Sequence, residues 1–275
     1  MNQIESRDRP PPAIVPGLTR GWKHDRPVTH DDPAIERLYR KQRLAASYRL
    51  FSLNGFDMGG AGHITVRDPE WPDCFWVNPY SVHFSHITVS DLMLVDHAGK
   101  VVQPPKNAPP FLNQAAFAIH SELHKARPDV VAAAHSHSIH GKAWSTQGRL
   151  LDPITQDSAE FYEDHALFTD FTGVVFETGE GRRIAECLGG KKAVILQNHG
   201  ILTVGASVEA AVWRYLSFEN ACRTQLMAEA AGPVTPMRPE IARLTAGQVG
   251  TEIAGYWAFQ PYWDMIVAKE PDLLD

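Results

Sequence analysis

Three histidines lie within six residues in the stretch AAAHSHSIHGKAW (132–144), directly after a run of small apolar residues. Neutral imidazole is the commonest protein ligand for zinc, copper and iron. The run VVAAA (130–134) predicts a short buried strand. Because residues two apart on a strand share a face, His135 and His137 are expected to point the same way, while Ser136 points away.

A third imidazole is expected from a second strand end. His199 follows the strand-like run KAVILQ (192–197), and Gly200 relaxes the backbone at that junction. If these two strands are neighbours that end at one rim of a sheet, the three histidines converge. A lone His-x-His pair is weak evidence, since many such pairs are incidental, but the distant Asn-His-Gly favours a metal site.

Hydrophobic periodicity predicts the elements that position these residues. A helix begins near Pro33 and ends at Asn54-Gly55, and another occupies 111–127. Ser207 is a plausible N-cap for a long helix that Gly232-Pro233 terminates. Turn-forming residues separate further short strands, which are GHITVR (62–67), CFWVNP (74–79), LMLVD (92–96) and GVVFET (173–178).

Composition excludes several classes of partner. The 275 residues are 44% hydrophobic, with a net charge of −6, which argues against a nucleic-acid or anionic-membrane surface. No apolar run approaches the roughly 20 residues that a membrane span needs. The N-terminal stretch lacks the apolar core of a signal peptide, and the three cysteines form no CxxC motif. We therefore expect a cytoplasmic protein with reduced thiols.

The blocks AAAHSHSIHGKAWS and AVILQNHGILTVGASVEAAVW resemble the class II aldolase/adducin family, and GHITVRD to DLMLVD resembles its N-terminal half. The resemblance implies an α/β fold: an α/β/α sandwich with a mostly antiparallel central sheet flanked by helices. It implies one divalent metal per chain on His135, His137 and His199, with Zn²⁺ or Fe²⁺ expected and Mn²⁺ a further candidate. It also implies a homotetramer that acts on a small molecule, with active sites near subunit boundaries.

The resemblance defines a domain over 34–232. Residues 1–33 contain six prolines and are expected to form an arm. Residues 233–275 are rich in aromatic side chains and are expected to pack on the domain or on a neighbouring subunit.

Two departures from the family pattern narrow the chemistry. Aldolase members carry a carboxylate nineteen residues before the first metal histidine, but this chain has Ala116 there, and Glu122 lies six positions on. The family's phosphate-binding loops correspond to AGH (61–63), NPYS (78–81) and QAA (114–116), which lack most of the small hydroxyl donors. We therefore expect an unphosphorylated substrate, and the residues assigned to bind it are His63, Asn78, Tyr80 and Ser81.

Several residues have both a catalytic and a structural interpretation. Glu160, 25 positions after His135, matches an acid/base residue of epimerase-like members, or is a solvated loop acid. His140 would orient a metal ligand, or merely begin the next helix. His120 and His124, one helical turn apart, are either a metal-binding pair or partly exposed helix histidines, and we expect the latter. Lys142 and Arg149 are surface cations, or attract a carboxylate substrate.

Three functions remain open from the sequence. The first is a metal-dependent lyase of aldolase or decarboxylase type that cleaves, or epimerises beside, a C–C bond next to the carbonyl or carboxylate of a 2-oxo or 2-hydroxy acid. The second is a non-haem Fe(II) oxygenase that decarboxylates an arylpyruvate, as in the aminocoumarin-pathway subset that the chain resembles more loosely. The third is an adducin-like protein-binding scaffold, against which the intact histidine trio argues.

Overall fold

The central sheet sets the positions of all later features. A computed structural model describes residues 27–174 and 178–275. Within them, eight strands pair in the order β4-β3-β2-β1-β5-β8-β7-β6, and only β6 and β7 run parallel. The strands are β1 (His63–Arg67), β2 (Cys74–Val77), β3 (Met93–Asp96), β4 (Val101–Gln103), β5 (Ala132–Ser136), β6 (His165–Phe168), β7 (Ala193–Leu196) and β8 (Gly200–Gly205). The expected α/β fold with a mostly antiparallel sheet is confirmed.

The helices begin where side chains cap them. Asp32 caps α1, Asn113 caps α2, and the Ser207 hydroxyl accepts from Ala210 N at the start of α6, as predicted. Gly232 ends α6. The described helices are α1 (Pro33–Leu53), α2 (Gln114–Ala126), α3 (Ile139–Ser145), α4 (Gln156–Ala159), α5 (Thr178–Leu188), α6 (Val208–Ala231), α7 (Pro239–Val249) and α8 (Glu252–Lys269).

Alternate residues of each strand supply the two hydrophobic cores. On β5, Ala132 and Ala134 face the core that contains α1, α6 and α8, while Ala133 faces the core under α2 and α5. Because both faces of β5 are covered by a hydrophobic core, nearly all of its residues are apolar, as is typical of a central strand in a sandwich. Because His135 follows the same alternation as Ala133, its ring lies on the α2 side of the sheet.

The aromatic C-terminal segment packs on the chain's own core. Tyr256, Phe259 and Trp263 of α8 are buried, and the Tyr256 hydroxyl lies 2.8 Å from the Tyr39 hydroxyl of α1. None of the described helices is long and apolar enough to cross a membrane. Most of the proline-rich arm, residues 1–26, and residues 175–177 of the expected strand GVVFET lie outside the described residues.

Candidate metal centre and adjoining cavity

Three imidazole rings meet at one rim of the sheet. The ring centroids of His135, His137 and His199 are 4.8 to 5.3 Å apart. One nitrogen from each ring lies within 4.8 Å of the others, and the Nε2 atoms of His137 and His199 are 3.1 Å apart. The structure therefore brings together the three residues that the sequence singled out.

The route by which His199 reaches this rim differs from the one inferred. The strand before it, β7, is not a neighbour of β5, because β8 lies between them. His199 belongs instead to the tight β7–β8 turn and directly precedes β8, whose Ile201 pairs with Ser136. Gly200 has a φ of +156°, and a Cβ there would lie 3.2 Å from the Ser136 carbonyl oxygen. Glycine at this position thus permits the close approach of the two strands.

A backbone contact fixes the orientation of His135. Its Nδ1 lies 2.8 Å from the Ile201 carbonyl oxygen, which can only accept, so Nδ1 carries the proton. The lone pair is then on Nε2, the nitrogen available to a metal. This pairing of a ring N–H with a carbonyl is the usual support of a metal-ligating histidine.

The site keeps its imidazoles neutral. Burial lowers the pKa of His135 well below its ordinary value, and burial followed by the charge of Lys142 lowers the pKa of His137. Burial, with a smaller contribution from His137, lowers the pKa of His199 to about 4. Since only the unprotonated ring can ligate, these shifts favour metal binding at neutral pH.

Helix α6 holds the segment that carries His137. The Tyr215 hydroxyl donates to the Ser136 carbonyl at 2.9 Å. One turn further, the buried Glu219 carboxylate accepts from Ser138 Oγ, Gly141 N and His140 N at 2.6 to 2.8 Å, and His140 Nδ1 lies 2.9 Å from it. The carboxylate therefore satisfies the orphan N–H groups at the start of α3. Sequence reasoning missed both residues, because nothing in a helix interior marks a side chain that caps a distant element.

A cavity of about 600 Å³ opens beside the three histidines. Its walls are largely apolar, and they include Leu112, Ile119 and Phe171. Tyr80 stands at the mouth against Gly60, where a Cβ would lie 2.5 Å from the tyrosine ring. No Asp or Glu is among the described residues that line the cavity.

Of the four residues assigned to substrate binding, two line the cavity and two do not. His63 and Tyr80 line the cavity. Asn78 does not, because its side chain is buried and accepts a hydrogen bond of 2.7 Å from the Tyr48 hydroxyl. Ser81 is exposed and also lies outside the lining.

His63 lies beside His135 because the two residues are cross-strand partners on β1 and β5. Their ring centroids are 5.1 Å apart, as expected for directly opposed residues. His63 is 3% exposed, and neither of its ring nitrogens has a hydrogen-bond partner in the part of the chain that the structure describes. A ligand in the cavity can supply that partner, which fits the assigned role.

His120 and His124 correct an expectation, because both are fully buried rather than partly exposed. They lie on α2 facing the sheet, where Thr65 Oγ1 is 2.6 Å from His120 Nδ1 and 2.9 Å from His124 Nε2. The helix is covered on its other side by α5, whose Gly181 approaches Ala118 closely. Because both sides of α2 are covered, its polar residues also enter the interior.

The two residues assigned catalytic roles lie outside this cavity. His140 is held by Glu219 at the start of α3. Glu160 lines a separate cavity of about 630 Å³ with Trp213 and Trp257. Ser217 Oγ donates to Glu160 at 2.7 Å, and burial raises the pKa of Glu160 to about 7. Within one chain, Glu160 therefore does not join the histidines.

Ala116 stands where the family resemblance predicts a carboxylate. Ala116 is buried near the start of α2. Glu122 lies two turns further along, where Lys125 donates to it at 2.6 Å, and it does not line the cavity.

The donor set fits a divalent ion. Three neutral imidazoles, one with a fixed tautomer, supply nitrogen ligands that suit zinc or iron, and the adjoining cavity leaves room for further ligands. The fold and this site define an α/β protein whose histidine cluster faces a cavity large enough for a small molecule.

Comparison with known proteins agrees with this description. Residues 42–226 match the family described as Class II Aldolase and Adducin N-terminal domain. Decarboxylase NovR of Streptomyces niveus is 44% identical over 90% of this chain and 91% of its own length. A 4-hydroxy-3-prenylphenylpyruvate oxygenase/4-hydroxy-3-prenylbenzoate synthase of Streptomyces roseochromogenus is also 44% identical, over 90% of this chain and 88% of its own.

A solved structure has the same fold. The L-fuculose 1-phosphate aldolase from Glaciozyma antarctica superposes with a TM-score of 0.85 at 44% identity, covering 91% of this chain and 97% of that one. The chain belongs to the class II aldolase and adducin N-terminal domain family. Membership in this family, together with the decarboxylase-named relative, supports an enzyme.

Proposed function

We propose that this protein is a metal-dependent enzyme that cleaves the bond between the carboxylate carbon and the neighbouring carbon of an unphosphorylated oxo acid. One observation carries the proposal: the described residues that line the cavity beside His135, His137 and His199 include a lysine and no carboxylate. When bound to the three imidazoles, a divalent ion would supply Lewis-acid stabilisation of developing negative charge or, as iron, activation of dioxygen.

A cavity whose described lining residues include no carboxylate favours decarboxylation over aldol cleavage. Retro-aldol cleavage begins when a base removes a hydroxyl proton, and epimerisation begins when a base removes a carbon-bound proton. Neither Glu122 nor Glu160 lies in the cavity. Decarboxylation starts from an anion that has no proton to lose, so it needs no such base. The lining therefore favours loss of CO₂.

The cavity also favours a substrate with an apolar tail over a sugar phosphate. Leu112, Ile119 and Phe171 offer apolar surface. The amide of Asn113 is engaged locally, because its oxygen caps α2 and its nitrogen donates to the Gly60 carbonyl at 3.2 Å. Although the chain is as similar to an L-fuculose 1-phosphate aldolase as to a prenylphenylpyruvate oxygenase, the chemistry of this lining agrees better with the latter name.

The chain's own residues then have defined tasks. Because the three imidazoles are neutral, they would not reduce the net charge of a bound divalent ion that faces the cavity. His63, whose ring nitrogens have no hydrogen-bond partner among the described residues, donates to a substrate oxygen. The apolar walls and Tyr80 exclude water from the reacting carbon. The proposal includes a cytoplasmic homotetramer, which family membership favours.

A second candidate, the ferrous oxygenase, is favoured by the same lining. Loss of CO₂ from a simple 2-oxo acid leaves an electron pair on the carbonyl carbon, where no adjacent group accepts it. That reaction therefore needs an oxidant, which dioxygen supplies when the ion is iron. A substrate with a further carbonyl group beside the breaking bond accepts the electrons itself and suits zinc or manganese.

The deciding experiment begins with elemental analysis of protein purified without a metal-binding tag. Metal-free protein is then loaded with Zn²⁺, Mn²⁺ or, anaerobically, Fe²⁺. Release of CO₂ is measured from phenylpyruvate and from oxaloacetate, with and without oxygen, beside cleavage of L-fuculose 1-phosphate. Oxygen-dependent CO₂ release with iron supports the oxygenase, and oxygen-independent release supports the lyase. Sugar-phosphate cleavage without CO₂ release would overturn both the lyase and the oxygenase. If no metal binds under any loading condition, the protein-binding scaffold is the function that remains.

A further inference from the structure

Lys142 of α3 is the one charged side chain among the described residues that line the histidine cavity, setting aside the histidines. The residue as a whole is half-buried, and the contact that its ammonium group makes is exposed to solvent.

The ammonium group of Lys142 lacks a carboxylate partner in the ranges that the structure describes. The ammonium group donates to the Met58 sulfur at 3.4 Å, and a thioether is a weak acceptor. Two other cations of the chain do have carboxylate partners. Arg149 bonds to both Asp152 and Glu229, and Lys125 bonds to Glu122. A partly buried cation without a counter-ion favours an anion nearby.

We propose that Lys142 binds the substrate carboxylate and makes the cavity selective for acids over neutral carbonyl compounds. The inference rests on the proposed function and names the residue that gives it specificity. The carboxylate would lie between the histidine cluster and the lysine ammonium. With a divalent ion bound to the histidines, the ammonium would add to a strong positive potential in the cavity, and none of the described lining residues carries a carboxylate that would reduce it.

The test compares Lys142→Met and Lys142→Arg with the wild type, using protein loaded with Zn²⁺. Binding of phenylpyruvate and of its uncharged methyl ester is measured by calorimetry at low and high salt. Lys142→Met should weaken binding of the acid by at least about tenfold, the effect of one charge-assisted contact, and leave binding of the ester unchanged. Lys142→Arg should restore part of the affinity, because it keeps the charge.

The matched control is Lys100→Met, which removes the same charge from an exposed residue outside the cavity lining. It should bind the acid as the wild type does. Metal content and thermal unfolding of each variant show that the site and the fold persist.

Equal affinity of Lys142→Met and wild type for the acid would overturn the inference, and so would a wild type that binds the ester as tightly as the acid. Loss of the acid's affinity in Lys100→Met would also overturn it, since the effect would then be one of net charge. These are binding results, so they do not depend on turnover. A wild type that binds phenylpyruvate through Lys142 but releases no CO₂ from any oxo acid would refute the proposed function alone.

Discussion

Individual nitrogen lone pairs decide whether the histidine trio can hold an ion. The lone pair of His135 is directed by the Ile201 carbonyl, while His137 and His199 direct their Nε2 atoms towards one another. In the metal-free protein, one neutral ring can donate its Nε2–H to the other Nε2 at this distance, and the tautomer decides which ring donates. Burial keeps both rings neutral, because it lowers the pKa of each. A divalent ion would take the place of that shared proton, with each ring then presenting a lone pair on Nε2.

His137→Ala should reduce bound metal from one ion per chain to near zero while the fold remains. The ring of His137 is only partly buried, so its removal leaves the hydrophobic core intact. Elemental analysis gives the metal content, and far-UV circular dichroism checks the fold. The exposed His86 supplies the control, because His86→Ala removes an imidazole that lies outside the cluster. Full metal content in His137→Ala would show that the ligands are wrongly assigned.

Between elements, α6 determines where the segment after β5 lies. Glu219 accepts hydrogen bonds from three residues of the segment that leads from His137 into α3, which are Ser138, His140 and Gly141. Tyr215, one turn earlier on the same face, holds Ser136. A single helix thus supports both ends of the short segment that contains His137.

Glu219→Gln should lower the metal affinity by roughly 10- to 100-fold, although the residue touches no ligand nitrogen. An amide offers one acceptor oxygen, so its NH₂ group must face donors that the carboxylate accepted. The free energy of unfolding should also fall, by about 1–3 kcal/mol. Titration with a chelator measures the affinity, and urea unfolding measures the stability.

Glu229→Gln provides the comparison, because Glu229 lies on the same helix but bonds the partly exposed Arg149. We expect little change in its metal affinity. If both variants lose affinity equally, Glu219 does not position the site.

Local signals predicted the elements that carry the site. The alternation in β5, the helix start at Pro33, the cap at Ser207 and the turn at Gly200 depend on near neighbours in sequence, so a single sequence predicts them. The sheet order does not depend on near neighbours, which is why His199 was assigned to the end of β7 rather than to the start of β8. The place of Glu160 depends on distant parts of the chain as well: it follows His135 by 25 residues, yet within one chain it lines a different cavity.

At the scale of the whole molecule, the sandwich buries four histidine side chains on the side of the sheet that α2 and α5 cover. His63, His120 and His124 lie between the sheet and α2 with His135 beside them, and each has a pKa well below its ordinary value. Burial is the largest cause in each case, and neighbouring histidines or Arg67 add to it. The periodicity of α2 could not reveal this burial, because it depends on α5 covering the opposite side of the helix.

These buried rings should make the metal-free protein sensitive to acid. A histidine that is neutral when folded takes up a proton on unfolding once the pH falls below about 6.5, so the unfolded state then binds more protons. Stability is therefore fully present above pH 6.5 and declines below it, until the pH reaches the lowered folded-state pKa. Each such histidine adds about 1.4 kcal/mol per pH unit to the slope. We expect urea unfolding with a chelator present to show this decline between pH 6.5 and 5.

His124→Gln isolates one contribution without touching a candidate ligand. Glutamine can still bond to Thr65, which lies 2.9 Å from His124 Nε2, but it does not titrate. The slope of unfolding free energy against pH should therefore fall by about 1.4 kcal/mol per unit below pH 6, relative to the wild type. An unchanged slope in His124→Gln would mean that this ring is protonated in the folded protein. The claim that the histidines between the sheet and α2 are neutral when buried would then be wrong.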